Sequence, residues 1–249
     1  MRVLHLTDPH LFADKDGELR GINTYSSLTD VLKHVASSDW RADHVACTGD
    51  LIQDDSPGAY EHFKNLLATL NLPVHCVPGN HDIRQLMQAA LVDAPFYYCD
   101  AADLGDWLMV GIDSCLGGSA GGKISDDELD RMDNEINASS ASHVVVCLHH
   151  PPAAMHSKWL DTVGLENGDV FLERLNAQDR VRLALFGHVH QVYDQQHGRV
   201  RVLGTPSTCR QFKPQSDEFT LDERSPAYRR LTLHADGTFD NELIWIDDA

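Results

Sequence analysis

Short apolar runs alternate along the chain with amphipathic stretches, and this alternation predicts strands and helices in turn. Six apolar runs in the first part of the chain predict strands, at 3–6, 44–47, 74–77, 107–112, 144–148 and 183–186. From Val192 onward the pattern changes to short strands separated by turns, at 200–203, 228–233 and 239–246. Strands that alternate with helices are typical of a mostly parallel α/β core, and the last strands are expected to extend it in antiparallel fashion.

Three amphipathic stretches predict helices between these strands. The first covers 26–35, and the second begins at Ser56, an N-cap residue followed by a proline that suits the first helical position. The third follows Ser125, which is expected to form a capping box with Glu128 three residues later. The chain has no linker rich in Pro, Gly or Ser and no internal repeat, so we expect a single domain over residues 1–249.

The composition is that of an ordinary globular protein with a strong acidic excess. The 249 residues include 20 basic and 38 acidic ones, which gives a formal net charge of −18. Because phosphate binding depends on clustered Lys and Arg, nucleic acid and anionic membranes are disfavoured as partners. We expect a cytoplasmic protein, since no apolar run is long enough to span a membrane and the N-terminus turns polar too soon for a signal peptide. The six cysteines form no CxxC pair, which favours buried thiols over a disulfide frame.

Polar clusters rich in histidine follow five of the predicted strands. They are Thr7-Asp8-Pro9-His10, Thr48-Gly49-Asp50, Pro78-Gly79-Asn80-His81-Asp82, His149-His150-Pro151-Pro152 and Gly187-His188-Val189-His190. Because the carboxyl ends of parallel strands meet at one edge of a sheet, we expect these distant clusters to converge. Carboxylates, imidazoles and one amide oxygen, without a thiolate, suit Mn, Fe or Zn better than Ca.

Each cluster taken alone also has a purely structural interpretation. Asp8 and His10 fit a turn, Asp50 fits a turn or helix cap, and Asn80 fits a left-handed backbone position. The two histidine pairs fit a loop and a strand end. All of these interpretations would have to hold together, in order and each at the end of a strand, so the joint pattern favours a dinuclear metal site.

The order of the clusters resembles the signature of the calcineurin-like metallophosphoesterases, which is D-x-H, G-D, G-N-H-D/E, H-x-P and G-H-x-H. This resemblance implies a four-layer α/β fold, in which central mixed sheets form a sandwich flanked by helices. It implies that one metal ion is held by Asp8, His10, Asp50 and His190. By the same resemblance the other ion is held by Asp50, Asn80, His149 and His188, so that Asp50 bridges the two.

A centre of this kind is expected to hydrolyse a phosphodiester. A hydroxide bridging the two metals would attack phosphorus in line with the leaving oxygen, while the metals neutralise charge on the phosphate. His81 is adjacent to Asn80 but is not needed as a ligand, so it is the candidate to contact the phosphate and to protonate the leaving alkoxide. Asn80 is expected at the substrate as well. Asp82 is expected either to orient His81 or to close the turn.

Two further segments resemble the bacterial class III 3′,5′-cyclic AMP phosphodiesterases, which implies hydrolysis of cyclic AMP to 5′-AMP. One segment is 21–24, and the other runs through 204–214 and 219–222. With the stretches 228–231 and 235–238 near the end, the resemblance extends from residue 2 to about 240. The 204–225 segment is expected either to cap the metal site or only to close the sheet. As a cap, it would place Thr208, Arg210 and Phe212 at the nucleotide, with Phe212 on the base and Asn23 on the opposite wall.

Several alternatives stay open from the sequence. Another small-molecule metallophosphoesterase, such as a nucleotide pyrophosphatase or a broad phosphodiesterase with cyclic AMP as a side substrate, would carry the same signature. A scaffold protein that only keeps the fold is disfavoured, because no ligand position is missing. Iron and manganese are expected first and zinc is the alternative, since all three tolerate these ligands. The sequence does not decide between cyclic AMP and cyclic GMP, or between a monomer and a homodimer.

Overall fold

Two six-stranded sheets form the centre of the protein, in a computed structural model that describes residues 1–246. The strands are β1 Arg2–Leu6, β2 Glu18–Leu19, β3 Ile22–Asn23, β4 His44–Thr48, β5 Val74–Val77, β6 Phe96–Tyr98, β7 Ala101–Asp103, β8 Trp107–Gly111, β9 His143–Cys147, β10 Val181–Phe186, β11 Tyr193–His197, β12 Val200–Gly204, β13 Gln211–Phe212, β14 Leu221–Asp222, β15 Ala227–Leu233 and β16 Phe239–Trp245. The helices are α1 Thr24–Ser37, α2 Pro57–Leu67, α3 Arg84–Ala90, α4 Asp126–Ala138, α5 Lys158–Asp161 and α6 Gly168–Ala177. A 3-10 turn, Ala68–Leu70, extends α2.

Both sheets are mixed, with a run of four parallel strands in each and antiparallel pairing beside it. The first sheet has the order β16-β15-β1-β4-β5-β6, and the second has the order β11-β12-β10-β9-β8-β7. Strands β1, β4, β5 and β6 run parallel, as do β8, β9, β10 and β12. The late strands β15 and β16 add to the first sheet in antiparallel fashion, and β11 does so in the second. The α/β class with mixed, mostly parallel sheets is therefore confirmed.

Alternate residues of the strands separate into layers, because successive side chains point to opposite faces. In β1, Leu4 packs into a cluster with residues of α1, α2 and α3, whereas Val3 faces the space between the two sheets. On the second sheet, Val144 packs with α4 and α6, whereas Val145 faces the first sheet. The order of layers is thus helix, sheet, sheet, helix, which is the expected four-layer sandwich.

The helix starts agree with the capping residues of the sequence in two of three cases. Helices α2 and α4 begin after Ser56 and Ser125, whose side chains each accept a backbone N–H. Helix α1 begins two residues before the predicted start. The expected capping box lacks its second half. Ser125 caps the helix, but the Glu128 side chain accepts the backbone N–H of Asp113 at 2.9 Å and pairs with Arg131 instead of bonding back to Ser125.

The cysteines and the helix lengths bear on two further expectations. All six cysteines are free thiols, and four of them are buried. Burial raises the pKa of the Cys209 thiol to about 12, so this thiol stays protonated. Within residues 1–246, the helices are all too short or too polar to cross a bilayer.

Candidate metal centre

The five polar clusters meet where parallel strands of both sheets end. The first sheet supplies the residues that follow β1, β4 and β5, and the second supplies those that follow β9 and β10. The side chains brought together are those of Asp8, His10, Asp50, Asn80, His149, His188 and His190. Asn80 is half-buried, and the other six are buried. The predicted convergence of these distant clusters is therefore observed.

One group of donor atoms gathers between the ends of β1 and β10. Nε2 of His190 lies 3.4 Å from Oδ1 of Asp8 and 3.1 Å from Nε2 of His10. Nε2 of His10 lies 3.7 Å from Oδ2 of Asp50. Donors at these separations can share one cation at about 2.0–2.2 Å from each atom.

A second group adjoins the first through the same carboxylate. Nε2 of His149 lies 3.4 Å from Oδ2 of Asp50, 3.2 Å from Oδ1 of Asn80 and 3.2 Å from Nδ1 of His188. Oδ2 of Asp50 is therefore close to donors of both groups, which is the position that a bridging carboxylate requires.

Backbone carbonyls fix the orientation of two of the imidazoles. Nδ1 of His149 donates to the carbonyl oxygen of Thr48 at 2.7 Å, and Nδ1 of His190 donates to that of Arg210. A carbonyl can only accept, so the hydrogen of each neutral ring resides on Nδ1 and the lone pair on Nε2 faces the other donors. This is the second shell that metal-binding histidines ordinarily have.

Burial and charge set the protonation of the site in the absence of a cation. Burial alone would raise the pKa of Asp50, but the adjacent His149 holds that pKa well below its usual value. Burial lowers the pKa of His10 to about 4 and that of His188 well below its usual value. Although burial opposes it, the carboxylate of Asp50 raises the pKa of His149 to about 9. Since ligands bind metal in their deprotonated forms, a cation at His149 has to displace a proton.

The backbone carries strain where the donors are. Asp8, His10, Asp50, His188 and His190 all have φ between 48° and 67°. This left-handed region is unusual for residues with a Cβ and costs about 1–3 kcal/mol at each position. Five such positions among seven converging residues are typical of a functional site, where the surrounding structure enforces the geometry.

Two glycines of the motifs leave the space that the carboxylates occupy. A Cβ at Gly79 would lie 2.2 Å from Oδ1 of Asp50. A Cβ at Gly187 would lie 2.0 Å from Oγ1 of Thr7 and 2.6 Å from Oδ2 of Asp8. A larger residue at either position would push a carboxylate out of place, which explains why these clusters contain glycine before a donor residue.

His81 lies beside both donor groups and is half-buried. Its backbone N–H donates to Oδ1 of Asp50 at 2.8 Å, and its ring meets the ring of His10 edge-on with centroids 5.1 Å apart. Nδ1 of His81 lies 3.3 Å from Nε2 of Gln53. The ring is also near enough to His10 and Asp50 to offer a nitrogen to a cation. Its position therefore suits either a proton donor to the substrate or an additional ligand.

Asp82 closes the turn rather than orienting His81. Its Oδ2 accepts the backbone N–H groups of Gly79 and Leu51 at 2.9 and 3.1 Å, and its Oδ1 accepts the hydroxyl of Tyr60 at 3.0 Å. Of the two roles that the sequence left open, the structure supports the structural one.

A cavity of about 280 Å³ opens beside the donor atoms. Arg210 and Phe212 line it, as the cap interpretation of 204–225 requires. Two other expected contacts lie elsewhere. Asn23 caps α1 by accepting the N–H of Ser26 at 2.8 Å, and it lines a separate groove. Thr208 is completely buried, and its hydroxyl donates to the carbonyl oxygen of Thr7.

The same cavity is lined by three residues that sequence reasoning missed. They are Arg20, Trp159 and Phe219, from three separate segments of the chain. No periodic pattern marks them in the sequence, because Trp159 belongs to a helix of only four residues and the other two lie in connecting segments.

A buried chain of hydrogen bonds supports Asp8 from between the sheets. Oγ1 of Thr7 donates to Oδ2 of Asp8 at 2.6 Å, and Oγ1 of Thr48 donates to Oγ1 of Thr7 at 2.8 Å. The hydroxyl of Thr48 is therefore free to accept from Nε2 of His5 at 2.8 Å, while Nδ1 of His5 accepts from Thr205 at 2.8 Å. The only sign of this chain in the sequence is a histidine within an apolar strand.

A four-layer sandwich with two joined groups of metal donors is typical of two-metal phosphoester hydrolases, and this is the class of protein that the fold and the site indicate. The chain belongs to the calcineurin-like phosphoesterase family, whose model matches residues 1–192. The family uses a dinuclear metal site, and the histidine and aspartate groups described above are able to bind metal ions. This confirms the family resemblance that the motifs indicated.

Curated relatives align with nearly the whole chain. The 3′,5′-cyclic adenosine monophosphate phosphodiesterase CpdA of Pseudomonas aeruginosa is 38% identical, with 99% of this chain and 90% of the relative covered. The protein of the same name from Escherichia coli (strain K12) is 37% identical, with coverage of 100% and 91%. Among solved structures, a dimetal phosphatase from Danio rerio matches with a TM-score of 0.66 at 16% identity, over 92% of this chain and 94% of that one. This last likeness shows the shared fold.

Proposed function

We propose that this protein is a metal-dependent phosphodiesterase that hydrolyses 3′,5′-cyclic AMP to 5′-AMP. The observation that carries the proposal is the position of Oδ2 of Asp50, which lies 3.7 Å from His10 and 3.4 Å from His149 and so joins two donor groups beside one cavity. The curated relatives named for this reaction support the substrate, because they match the chain from end to end.

The proposed ligands divide into two sets that share one carboxylate. One ion is held by Asp8, His10, Asp50 and His190, and the other by Asp50, Asn80, His149 and His188. Iron and manganese suit these oxygen and nitrogen donors, and zinc is the alternative. When bound, the two ions supply a strong nucleophile from water at neutral pH and neutralise charge on the phosphate.

The chain's own residues bind the phosphate and provide the proton. His81 donates a hydrogen bond to the phosphate and protonates the leaving 3′-oxygen, since its ring is half-buried at the cavity wall. Nε of Arg210 is buried without a hydrogen-bond partner among residues 1–246, so it is a donor that phosphate or ribose can satisfy. The amide of Asn80 lies at the same wall and orients the phosphate.

We propose a small-molecule substrate and a cytoplasmic location, and the acidic net charge supports the first of these. A net charge of −18 repels nucleic acid and anionic membranes, whereas a small anion is drawn in by the local charge of the cations. Light scattering on the purified protein distinguishes a monomer from a homodimer.

The test is product analysis with purified protein of known metal content. The substrates are cyclic AMP, cyclic GMP, 2′,3′-cyclic AMP, a dinucleoside pyrophosphate and a chromogenic diester without a base. We expect 5′-AMP as the product of 3′,5′-cyclic AMP, with a higher kcat/KM than for the chromogenic diester. Turnover of the pyrophosphate or of the chromogenic diester alone would leave the metal chemistry in place and assign another substrate.

A further inference from the structure

Three aromatic rings form one wall of the cavity beside the metal centre. The ring centroids of Trp159 and Phe212 lie 5.3 Å apart, those of Trp159 and Phe219 lie 5.2 Å apart, and those of Phe212 and Phe219 also lie 5.2 Å apart. All three pairs meet edge to face. The result is a closed triangle of rings that stands next to His81 and Arg210.

One of the three rings also supports the metal centre. Phe212 lies flat against the ring of His190, with centroids 4.2 Å apart and planes within 5° of parallel. This contact uses one face of Phe212 to support a proposed metal ligand. Phe219, in contrast, is 44% exposed, and Trp159 is half-buried. Nε1 of Trp159 is a buried donor without a partner among the described residues, a condition that costs free energy until a ligand or water completes it.

An arginine side chain and two polar contacts, which tether neighbouring segments, complete this wall of the cavity. The guanidinium of Arg20 lies 5.1 Å from the centroid of the Phe219 ring. The hydroxyl of Ser157 donates to the carbonyl oxygen of Ser216, and the ammonium of Lys158 pairs with Asp217. These tethers join the segment that carries Trp159 to the segment that carries Phe219, so the two rings are held as a unit.

We propose that Trp159, Phe219 and Arg20 form the subsite that binds the base of the nucleotide substrate. This inference rests on the proposed function and adds the residues that distinguish a nucleotide from other phosphodiesters. Aromatic side chains stack on the π-face of any base, and Arg adds a cation–π contribution. A subsite of this kind favours purines over pyrimidines because the purine offers the larger stacking surface. It treats cyclic AMP and cyclic GMP alike.

The experiment compares cyclic AMP with the same ribose 3′,5′-cyclic phosphate lacking its base. In Trp159→Ala and Phe219→Ala, we expect KM for cyclic AMP to rise roughly tenfold or more, in line with the loss of one stacking contact. The values for the base-free substrate and kcat for both substrates are expected to stay near wild type. Phe219→Tyr keeps the ring and is expected to restore most of the affinity for cyclic AMP that Phe219→Ala loses. An equal rise in KM for both substrates would overturn the subsite.

A binding measurement separates this inference from the proposed function. Titrating metal-loaded protein with 5′-AMP is expected to quench tryptophan fluorescence, and Trp159→Phe is expected to remove most of that quenching although the other three tryptophans remain. If 5′-AMP quenches the fluorescence of a protein that does not hydrolyse cyclic AMP, the subsite stands and the proposed reaction fails. If cyclic AMP is hydrolysed but Trp159→Phe leaves the quenching unchanged, the reaction stands and the subsite is wrong.

Discussion

The ring of Phe212 stacks on the ring of His190, with centroids 4.2 Å apart. His190 is held on its other side as well, because its Nδ1 donates to the carbonyl oxygen of Arg210. The imidazole is thereby fixed in orientation by a neighbouring ring and by a neighbouring carbonyl, both from the segment after β12. This segment therefore acts on the metal centre through a proposed ligand as well as lining the cavity.

The first prediction concerns Phe212. Replacing it with alanine is expected to loosen His190 and to lower kcat/KM about 10-fold or more, the usual effect of losing a residue that orients a metal ligand. Because the cause is the metal centre, cyclic AMP and its base-free analogue are expected to suffer equally, and metal content is expected to fall. The measurement is metal analysis together with kinetics on both substrates. If activity fell toward cyclic AMP but not toward the base-free analogue, the prediction would be wrong and Phe212 would be assigned to stacking on the base.

The second prediction concerns the shared carboxylate. Asp50→Asn removes the negative charge that lies near both donor groups while keeping the shape of the side chain. The metal content is expected to fall from two ions per chain to fewer than one. Activity is expected to fall by more than the 10–100-fold that is typical of a second-shell change.

The matched control for Asp50 is Asp93→Asn, which makes the same change at an exposed carboxylate. We expect this control to keep both its metal and its activity. An Asp50→Asn protein with two bound ions per chain and normal turnover would refute the bridging assignment.

The third prediction separates the two roles of the His81 ring. As a proton donor it can be removed without loss of metal, so His81→Ala is expected to retain two ions. Turnover of cyclic AMP is expected to fall by about 10²–10⁴-fold, the usual contribution of general acid catalysis. Turnover of a p-nitrophenyl diester is expected to fall much less, because its leaving group departs without a proton. Loss of metal in this variant would instead identify His81 as a ligand.

The metal centre could be predicted from the sequence because each donor lies within two to four residues of a strand end. Asp8, Asp50 and His149 are placed by short local motifs, and a parallel sheet brings such ends to one edge whatever the distance along the chain. The left-handed backbone at Asp50 follows Gly49, which is part of the same motif.

The cavity wall could not be predicted, because its parts meet only through tertiary packing. Trp159 and Phe219 are 60 positions apart, and neither lies in a periodic element long enough to give a signal. Asn23 is expected on the opposite wall because segment 21–24 resembles the cyclic AMP phosphodiesterases, whereas in the structure α1 begins at Thr24 and takes Asn23 as its cap. The sequence also does not show which strand belongs to which sheet, because strands buried on both faces lack a period-two pattern.

The last prediction concerns His5, which is completely buried three residues before Asp8. Burial, reinforced by the positive charge of Arg229, lowers its pKa to about 3. In the unfolded chain the pKa of a histidine is about 6.5, so below that pH the unfolded state binds a proton that the folded state does not. The stability associated with neutral His5 is thus fully present above pH 6.5 and is lost as the pH falls toward 3. At pH 5 the loss attributable to His5 is about 2 kcal/mol.

The measurement is the free energy of unfolding in urea at pH 7.5, 6 and 5, for metal-free wild type and His5→Gln. Metal-free protein is used because the release of metal at low pH would add its own effect. The variant is expected to be less stable than wild type at pH 7.5, since it breaks the chain of hydrogen bonds to Asp8, but its stability is expected to fall less on acidification. His156→Gln, which makes the same change at an exposed histidine, is the control and is expected to give a curve parallel to that of wild type. Parallel curves for wild type and His5→Gln would contradict this prediction, because they would mean that His5 binds its proton equally well in the folded and unfolded states. The hydrogen bonds of buried His5 with Thr48 and Thr205 predict a difference between the two states.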